Sequence, residues 1–411
     1  MRLTGDWLIR PPTRAVCAAV QAAGHRVFFV GGCVRDAALG RPVGDIDMAT
    51  DAAPDAVIAA GTAAGLKALP TGIAHGTVTL VADGLAHEIT TFRRDVETFG
   101  RHARVAFDAG LTEDAARRDF TINALYATPE GEVLDPLGTG LSDLAARRVR
   151  FVGDATLRIA EDGLRILRFF RFHAHFADPE GGIDPDGLAA CAAGIDALAL
   201  VSAERRGAEM RKLLSAPDPA PAVAAMAQAG VLAQVLPGAD PATLTRLIAT
   251  QTDHAPDWAL RLAALDSTGG AAQALRLSRH DAGRIGRLRK AALSGAGAAE
   301  LGWRLGAEDG AAALCLHAAL AGLPLAPGWQ TGVAHGANAT FPIAASDLMP
   351  AFSGPALGAT LRRLEAAWIA SGMTMGHAPL LAMAQHGAPD PAHPTDRAPT
   401  ADTPIATPKD D

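Results

Sequence analysis

Val27-Phe28-Phe29-Val30-Gly31-Gly32-Cys33-Val34-Arg35-Asp36, followed closely by Asp45-Ile46-Asp47, is the stretch that decides the fold. Four apolar residues read as a buried strand ending in a glycine turn, and Val34–Leu39 reads as a short helix behind it. Asp45–Thr50 reads as a second strand, on which residues i and i+2 share a face, so Asp45 and Asp47 project side by side. Adjacent carboxylates repel unless a cation lies between them, and the divalent ion that carboxylates favour near phosphates is magnesium. Alone, the pair would as readily be a solvated strand edge. Behind a glycine turn at Gly31 and Gly32, whose amides can approach phosphate oxygens, it points to a nucleoside triphosphate and phosphoryl or nucleotidyl transfer.

Around this centre the chain alternates helix and strand. A helix at about 12–23 precedes it, and a helix over Pro54–Ala64 follows. Two strands, Thr77–Val81 and His87–Phe92, flank the turn signal Ala82-Asp83-Gly84. The segment Arg93–Ala109 shows no clear period and reads as a flexible loop. A helix is expected over Thr112–Tyr126 with Thr112 as its N-cap, and a strand pair around Glu132–Leu134 and Val149–Phe151. Beyond Ala155 the sequence is Ala/Leu-rich and reads as helix, with breaks at Ala177–Asp186, Ala216–Pro221, Pro237–Pro241 and Pro324–Gly328.

At 411 residues the chain exceeds one hydrophobic core. The expected class is α+β, a mixed-sheet head followed by an elongated all-α remainder. The expected divisions are a head at 1–151, a helical neck at 152–215, a helical body and tail at 216–386, and a disordered Pro/Ala-rich end at 387–411. The net charge of -7 gives no global reason for a polyanion partner, so any RNA site must be a local patch of arginines. Four widely spaced cysteines suit a reducing compartment better than a disulfide framework. With no apolar signal core and no stretch fit to span a bilayer, a cytoplasmic protein without membrane contact is expected.

Three further patterns carry chemistry. Glu88, on an alternating strand, is placed to face the aspartate pair as a third catalytic carboxylate, or else to lie exposed. Arg117 and Arg118 stand beside the apolar run Phe120–Leu125, where one of them can reach a triphosphate or a surface salt bridge. In Glu161-Asp162-Gly163-Leu164-Arg165-Ile166-Leu167-Arg168-Phe169-Phe170-Arg171-Phe172, Asp162, Arg165, Arg168 and Arg171 recur every third residue among apolar neighbours. Three arginines on a mostly buried helix require something anionic to meet them. Asp162 with Arg165 also forms a donor–acceptor set suited to the Watson–Crick edge of a base. His280-Asp281 lacks partners for a metal motif, and His173 and His175 read as cap or core residues.

Taken in order, the blocks at Gly31–Asp36 with Asp45–Thr50, Gly76–Val81 with Glu88–Arg93, Arg117–Leu125, Glu161–Phe172 and Ser202–Leu214 resemble the class II CCA-adding enzymes. These are tRNA nucleotidyltransferases of the tRNA nucleotidyltransferase/poly(A) polymerase family, with a polymerase-β-like head. The resemblance implies that Asp45 and Asp47 hold Mg2+, and that Gly32, Arg35 and Arg118 contact nucleotide. It implies that Asp162, Arg165, Arg168 and Arg171 select ATP or CTP and hold its triphosphate. Arg101 and Arg104 fall in a flexible loop needed for switching from C to A addition, and Ser202–Leu214 is a neck helix that steadies the nucleotide-binding turn. Gly163 departs from the pattern, where a better helix former is usual.

The implied reaction is template-independent addition of CCA to tRNA 3′ ends from CTP and ATP, with tRNA as partner and neither DNA nor membrane. A bacterial poly(A) polymerase, a partial enzyme adding only A or only CC, and a non-catalytic RNA-binding sensor are the rival readings. The chain's Pro/Ala/Asp-rich end is unlike the basic extension common in poly(A) polymerases.

Overall fold

The computed structural model describes residues 1–99, 102–107, 109–251 and 255–386. Two compact units are present, one of Met1–Gly295 with Ala312–Leu325, the other of Ala296–Ala311 with the chain from Ala326 onward. The expected disordered end at 387–411 lies outside the described residues, as does Arg101.

The first unit opens with α1 (Asp6–Ile9), α2 (Pro11–Ala22), β1 (Val27–Val30), α3 (Gly32–Ala38), β2 (Asp47–Thr50) and α4 (Pro54–Ala63). Proline begins α2 and α4, where its missing N–H is an orphan in any case. There follow β3 (Lys67–Gly72), β4 (Thr77–Ala82), β5 (Leu85–Thr91), β6 (Arg94–Phe99), β7 (His102–Ala106), α5 (Leu111–Ala116), β8 (Tyr126–Ala127) and β9 (Val133–Leu134). The sheet order is β3-β4-β5-β2-β1-β8-β9, with β6 and β7 pairing separately. Every neighbouring pair in the seven-stranded sheet is antiparallel except β2 and β5, which run parallel. The turn Asp83-Gly84 takes positive φ at both residues (48° and 78°), as a tight two-residue hairpin requires.

Four local expectations are corrected, and one strand, β3, was not expected from the sequence. β2 begins at Asp47, with Asp45 at a bend before it. β3 carries Pro70 at the sheet edge and a register shift between Leu69 and Gly72, which together hide its period-two pattern. The stretch read as a flexible loop contains the β6–β7 hairpin, and a register shift between Asp95 and Glu97 breaks its alternation too. The helix expected over Thr112–Tyr126 stops at Ala116 and is capped through Gly110, whose N–H donates to Glu113 Oε2 at 2.7 Å. Past it, the Thr121 N–H donates to the Arg150 carbonyl (3.0 Å) and Phe120 bridges Phe151, so Val149–Phe151 pairs there and not with β9.

The remainder of this unit is helical: α6 (Gly140–Ala145), α7 (Ala155–Glu161), α8 (Leu164–Phe176), α9 (Pro185–Ala193), α10 (Ala203–Leu214), α11 (Ala220–Gln228), α12 (Val231–Val235), α13 (Pro241–Ala249), α14 (Trp258–Leu265), α15 (Ala271–Ala274) and α16 (Arg279–Ala292). Phe28, Phe92 and Tyr126 pack the sheet's core with Val30, Ala49 and Val152. A second aromatic cluster joins Phe120 and Phe151 to Phe169 and Phe172 of α8, with ring centroids 5.0–6.3 Å apart. This cluster fixes α8 against the segment that carries Arg117 and Arg118. Gly163 at the entry to α8 is required by packing, because a Cβ there would lie 2.4 Å from the Ala197 carbonyl oxygen.

The second unit is helical and centres on Ile343, Phe352, Leu364, Trp368 and Leu380. Glycines permit a close helix approach here: a Cβ on Gly336 would meet the Ala299 carbonyl oxygen at 1.8 Å, and one on Gly302 the Val333 carbonyl oxygen at 2.1 Å. Among the described residues no helix is long and apolar enough to cross a membrane.

Candidate active site

The register of β2 against β5 builds the site. Asp47 pairs with Glu88 across the parallel ladder, so their side chains leave the sheet on one face. Both line a cleft of about 450 Å³ together with His75, Thr77, Thr90, Arg93, Arg117 and Arg118. Ile46 is buried while Asp45, at the bend before β2, and Asp47, at its first position, are exposed on either side of it. Although Asp47 keeps contact with solvent, partial desolvation by the protein around it and then the charge of Glu88 push its carboxyl above its ordinary range; Asp45 adds to this and Arg118 opposes it. The site thus gathers mutually repelling oxygens, the donor set a hard divalent cation takes. Among the described residues no three His, Cys, Asp or Glu side chains close around an ion by themselves.

Gly31 lies in front of Arg118. Its φ of 73° belongs to the left-handed region, and a Cβ there would sit 3.6 Å from Arg118 Nη1. Gly32 starts α3. Arg118 is aimed by two groups: its Nε donates to the Tyr126 hydroxyl (3.0 Å) and its Nη2 to Asp114 Oδ2 (3.1 Å). Asp114, only 1% exposed, also accepts from Arg117 Nε (2.8 Å) and from the Tyr126 hydroxyl (2.5 Å). Burial alone would raise this carboxyl, yet Arg118, Arg117 and Tyr126 hold it below its ordinary range. Sequence reading passed over Asp114. A carboxylate three and four residues before paired arginines was the available signal.

Arg35 is placed elsewhere. It is buried, donates to Asp36 (2.9 and 3.0 Å) and to Asn123 Oδ1 (2.6 Å), and its guanidinium lies 3.9 Å from the Phe176 ring centroid. Asn123 Nδ2 in turn donates to Asp119 Oδ1 (3.0 Å), and Asp119 Oδ2 accepts from Arg168 Nε (2.7 Å). One chain of polar contacts therefore links α3, the 119–123 segment and α8. Burial would raise Asp119, but Arg168, Asn123 and the Phe120 N–H keep it low.

The arginines of α8 are met by the protein's own carboxylates. Arg165 pairs with Glu161 and donates to the carbonyls of Arg158 (3.0 Å) and Arg117 (3.2 Å). Arg168 pairs with Asp119, and Arg171 with Glu209 of α10 (3.2 Å). The anionic demand read from the sequence is thus satisfied largely inside the fold. Asp162 caps α8 through the Leu164 N–H (3.0 Å), and its other oxygen accepts from Arg205 of α10 (2.7 Å). The structure brings Asp47, Glu88 and Arg118 to one cleft beside Gly31. Arg35 and Arg171 line a second pocket that shares no residue with it.

The fold is a mixed-sheet head that carries a carboxylate-lined cleft, followed by a helical segment. The poly A polymerase head domain family matches residues 27–150, and the family described as "Probable RNA and SrmB- binding site of polymerase A" matches 182–243. Over these two stretches the chain is similar to the head and the RNA-binding segment of the tRNA nucleotidyltransferase/poly(A) polymerase family. It is 40% identical over 235 residues to a CCA-adding enzyme of Geobacillus thermodenitrificans, covering 56% of each chain. It is 42% identical over 191 residues to the human mitochondrial CCA tRNA nucleotidyltransferase 1, covering 46% of this chain and 44% of that one. The chain thus spans about half the length of the curated relatives it matches. The Bacillus stearothermophilus CCA-adding enzyme in complex with CTP superposes with a TM-score of 0.71 at 29% identity, over 92% of this chain and 98% of that one. A Thermotoga maritima CCA-adding enzyme complexed with tRNA shares the fold, with a TM-score of 0.65 at 19% identity over 91% and 94% of the two chains. The family works with a divalent metal.

Proposed function

We propose that this protein adds CCA to the 3′ ends of tRNA, taking CTP twice and ATP once and releasing pyrophosphate each time, in the cytoplasm. The observation that carries the reading is the Asp47–Glu88 ladder pair, which lines one cleft with Arg117 and Arg118, with the Asp45 charge near enough to act on Asp47. In each cycle a Pα–O bond forms to the tRNA 3′-hydroxyl and the Pα–O bond to pyrophosphate breaks. Asp45 and Asp47 would hold the magnesium ion, which would supply positive charge to ease loss of the hydroxyl proton and steady the departing oxygen. Glu88, beside Asp47, orients the hydroxyl. Arg118, with the Gly31–Gly32 turn before it, holds triphosphate oxygens.

Base choice falls to Asp162 and Arg165. Cytosine and adenine each present an amino donor beside a ring-nitrogen acceptor, whereas guanine and uracil present the reverse. A carboxylate acceptor with a guanidinium donor therefore matches the first two and repels the others. Asp162 retains lone pairs beyond those used by Leu164 and Arg205. Arg168, already paired with Asp119, completes the nucleotide-binding set, whereas Arg171 lines the separate second pocket and falls outside it.

The test uses tRNA transcripts ending before CCA, after C and after CC, incubated with CTP, ATP or both. Extension of each to a terminal CCA supports the proposal. Indefinite A-tailing would make the protein a poly(A) polymerase, a lone CC or A a partial enzyme, and no extension an RNA-binding sensor.

A further inference from the structure

The second pocket, of about 380 Å³, is floored by Phe172 and Phe176 of α8 and closed by Trp258 of α14, with Arg35, Arg171, Arg211 and Lys212 around it. The Arg211 guanidinium lies 4.1 Å from the Trp258 ring centroid, forming a flat and partly exposed cation–aromatic platform. Arg41 joins the cationic side, 4.8 Å from the Phe176 centroid. Three carboxylates answer these five cations: Asp36 on Arg35, Glu209 on Arg171, and Asp281 on Arg211. Lys212 reaches Glu209 only at 3.9 Å and keeps 58% of its side chain exposed. Positive charge is therefore left over here, on a chain whose net charge is -7. Two helices, α8 and α10, end at this place, and their C-terminal carbonyls account for part of the cation enrichment. They do not account for partly exposed aromatic rings beneath it.

We propose that this pocket is a subsite for the RNA strand: an unstacked nucleotide lays its base on the Trp258–Arg211 platform and its phosphate toward Lys212. Aromatic faces and guanidinium planes interleaved with cations are how single-stranded RNA is gripped without base-edge reading. The inference rests on the proposed tRNA substrate, yet its site is separate from the carboxylate cleft, with which it shares no lining residue.

The experiment measures the Kd of the full chain for a tRNA transcript lacking CCA, at several salt concentrations, for wild type, Trp258→Ala and Lys212→Glu. Trp258→Ala raises Kd by roughly 5- to 150-fold, the loss that one base–aromatic stack brings. Lys212→Glu, on an exposed side chain that the fold does not need, lowers the slope of log K against log salt by about 0.7 or more. In both variants the KM for CTP at saturating tRNA stays at its wild-type value. Wild-type tRNA affinity in both variants overturns the proposal, and so does a raised KM for CTP with tRNA affinity unchanged, because the pocket then takes free nucleotide. If Trp258→Ala does not fold, Lys212→Glu decides alone. Failure of the proposed activity shows instead as wild-type protein that extends no tRNA.

Discussion

Replacing Asp47 by Asn should remove activity while leaving the metal-free protein at least as stable as wild type. The Asp47 carboxyl is pushed upward by partial desolvation, by Glu88 and by Asp45, so its charged form is disfavoured in the fold. Paired strands are about 4.8 Å apart, which places the Asp47 and Glu88 charges roughly 5 Å from each other. Coulomb's law gives about 3 kcal/mol at an effective dielectric of ~20, and below 1 kcal/mol in bulk water. Because the cleft is open to solvent, a relief of about 1 kcal/mol or less is expected. In a domain this large that is a rise of roughly 2 °C in Tm. Magnesium at ten times its Kd should add about 1.4 kcal/mol to wild type and nothing to Asp47→Asn. Incorporation should fall by a factor above ~10², beyond what losing an outer partner of a metal ligand costs. Thermal melts with and without Mg2+, beside a primer-extension assay, read all three. A metal-free variant melting well below wild type would refute the reasoning, and so would a variant that keeps the magnesium shift.

Asp114→Ala strands Arg118 and the buried Tyr126 hydroxyl, and should cost about 3–5 kcal/mol in urea unfolding with a raised KM for both nucleotides. Asp114→Asn, which keeps the shape, should recover part of the stability but not the KM. Gly163→Ala should destabilise by about 1–3 kcal/mol through its contact with Ala197, reversing the gain of up to ~1 kcal/mol that helix propensity alone would give. Asp114 and Asp119 are held below the ordinary carboxylate range of 3.8. Their contribution is therefore complete above the unfolded value and disappears as pH falls through the depressed native ones. Acid unfolding of the Asp114→Asn variant should accordingly show a shallower dependence on pH over that range.

What the sequence made legible was whatever one element settles by itself. β1 and the apolar faces of α8 follow from local pattern, whereas the strand reading of Asp45 with Asp47 missed the bend that leaves Asp45 outside β2. The pairing of Glu88 with Asp47 was only half legible, because a strand's alternation gives a face but not a register. Asp114, Asn123 and Asp119 escaped notice because their roles come from partners between 3 and 88 positions away. The end of α5 at Ala116 was hidden because Thr121 and Phe120 bond to the 150–151 segment, a tertiary choice that overrides helix propensity. The arginines of α8 were read correctly as needing anions, while the source of those anions was legible only in three dimensions.

Selection of the base by protein side chains, with no template, is the central claim. Mass spectrometry of a tRNA transcript lacking CCA, incubated with all four nucleoside triphosphates and Mg2+, tests it most directly. The expected product carries one added C, a second C and one A, and then stops. Added G or U, an open-ended run of A, or an unextended transcript would contradict it.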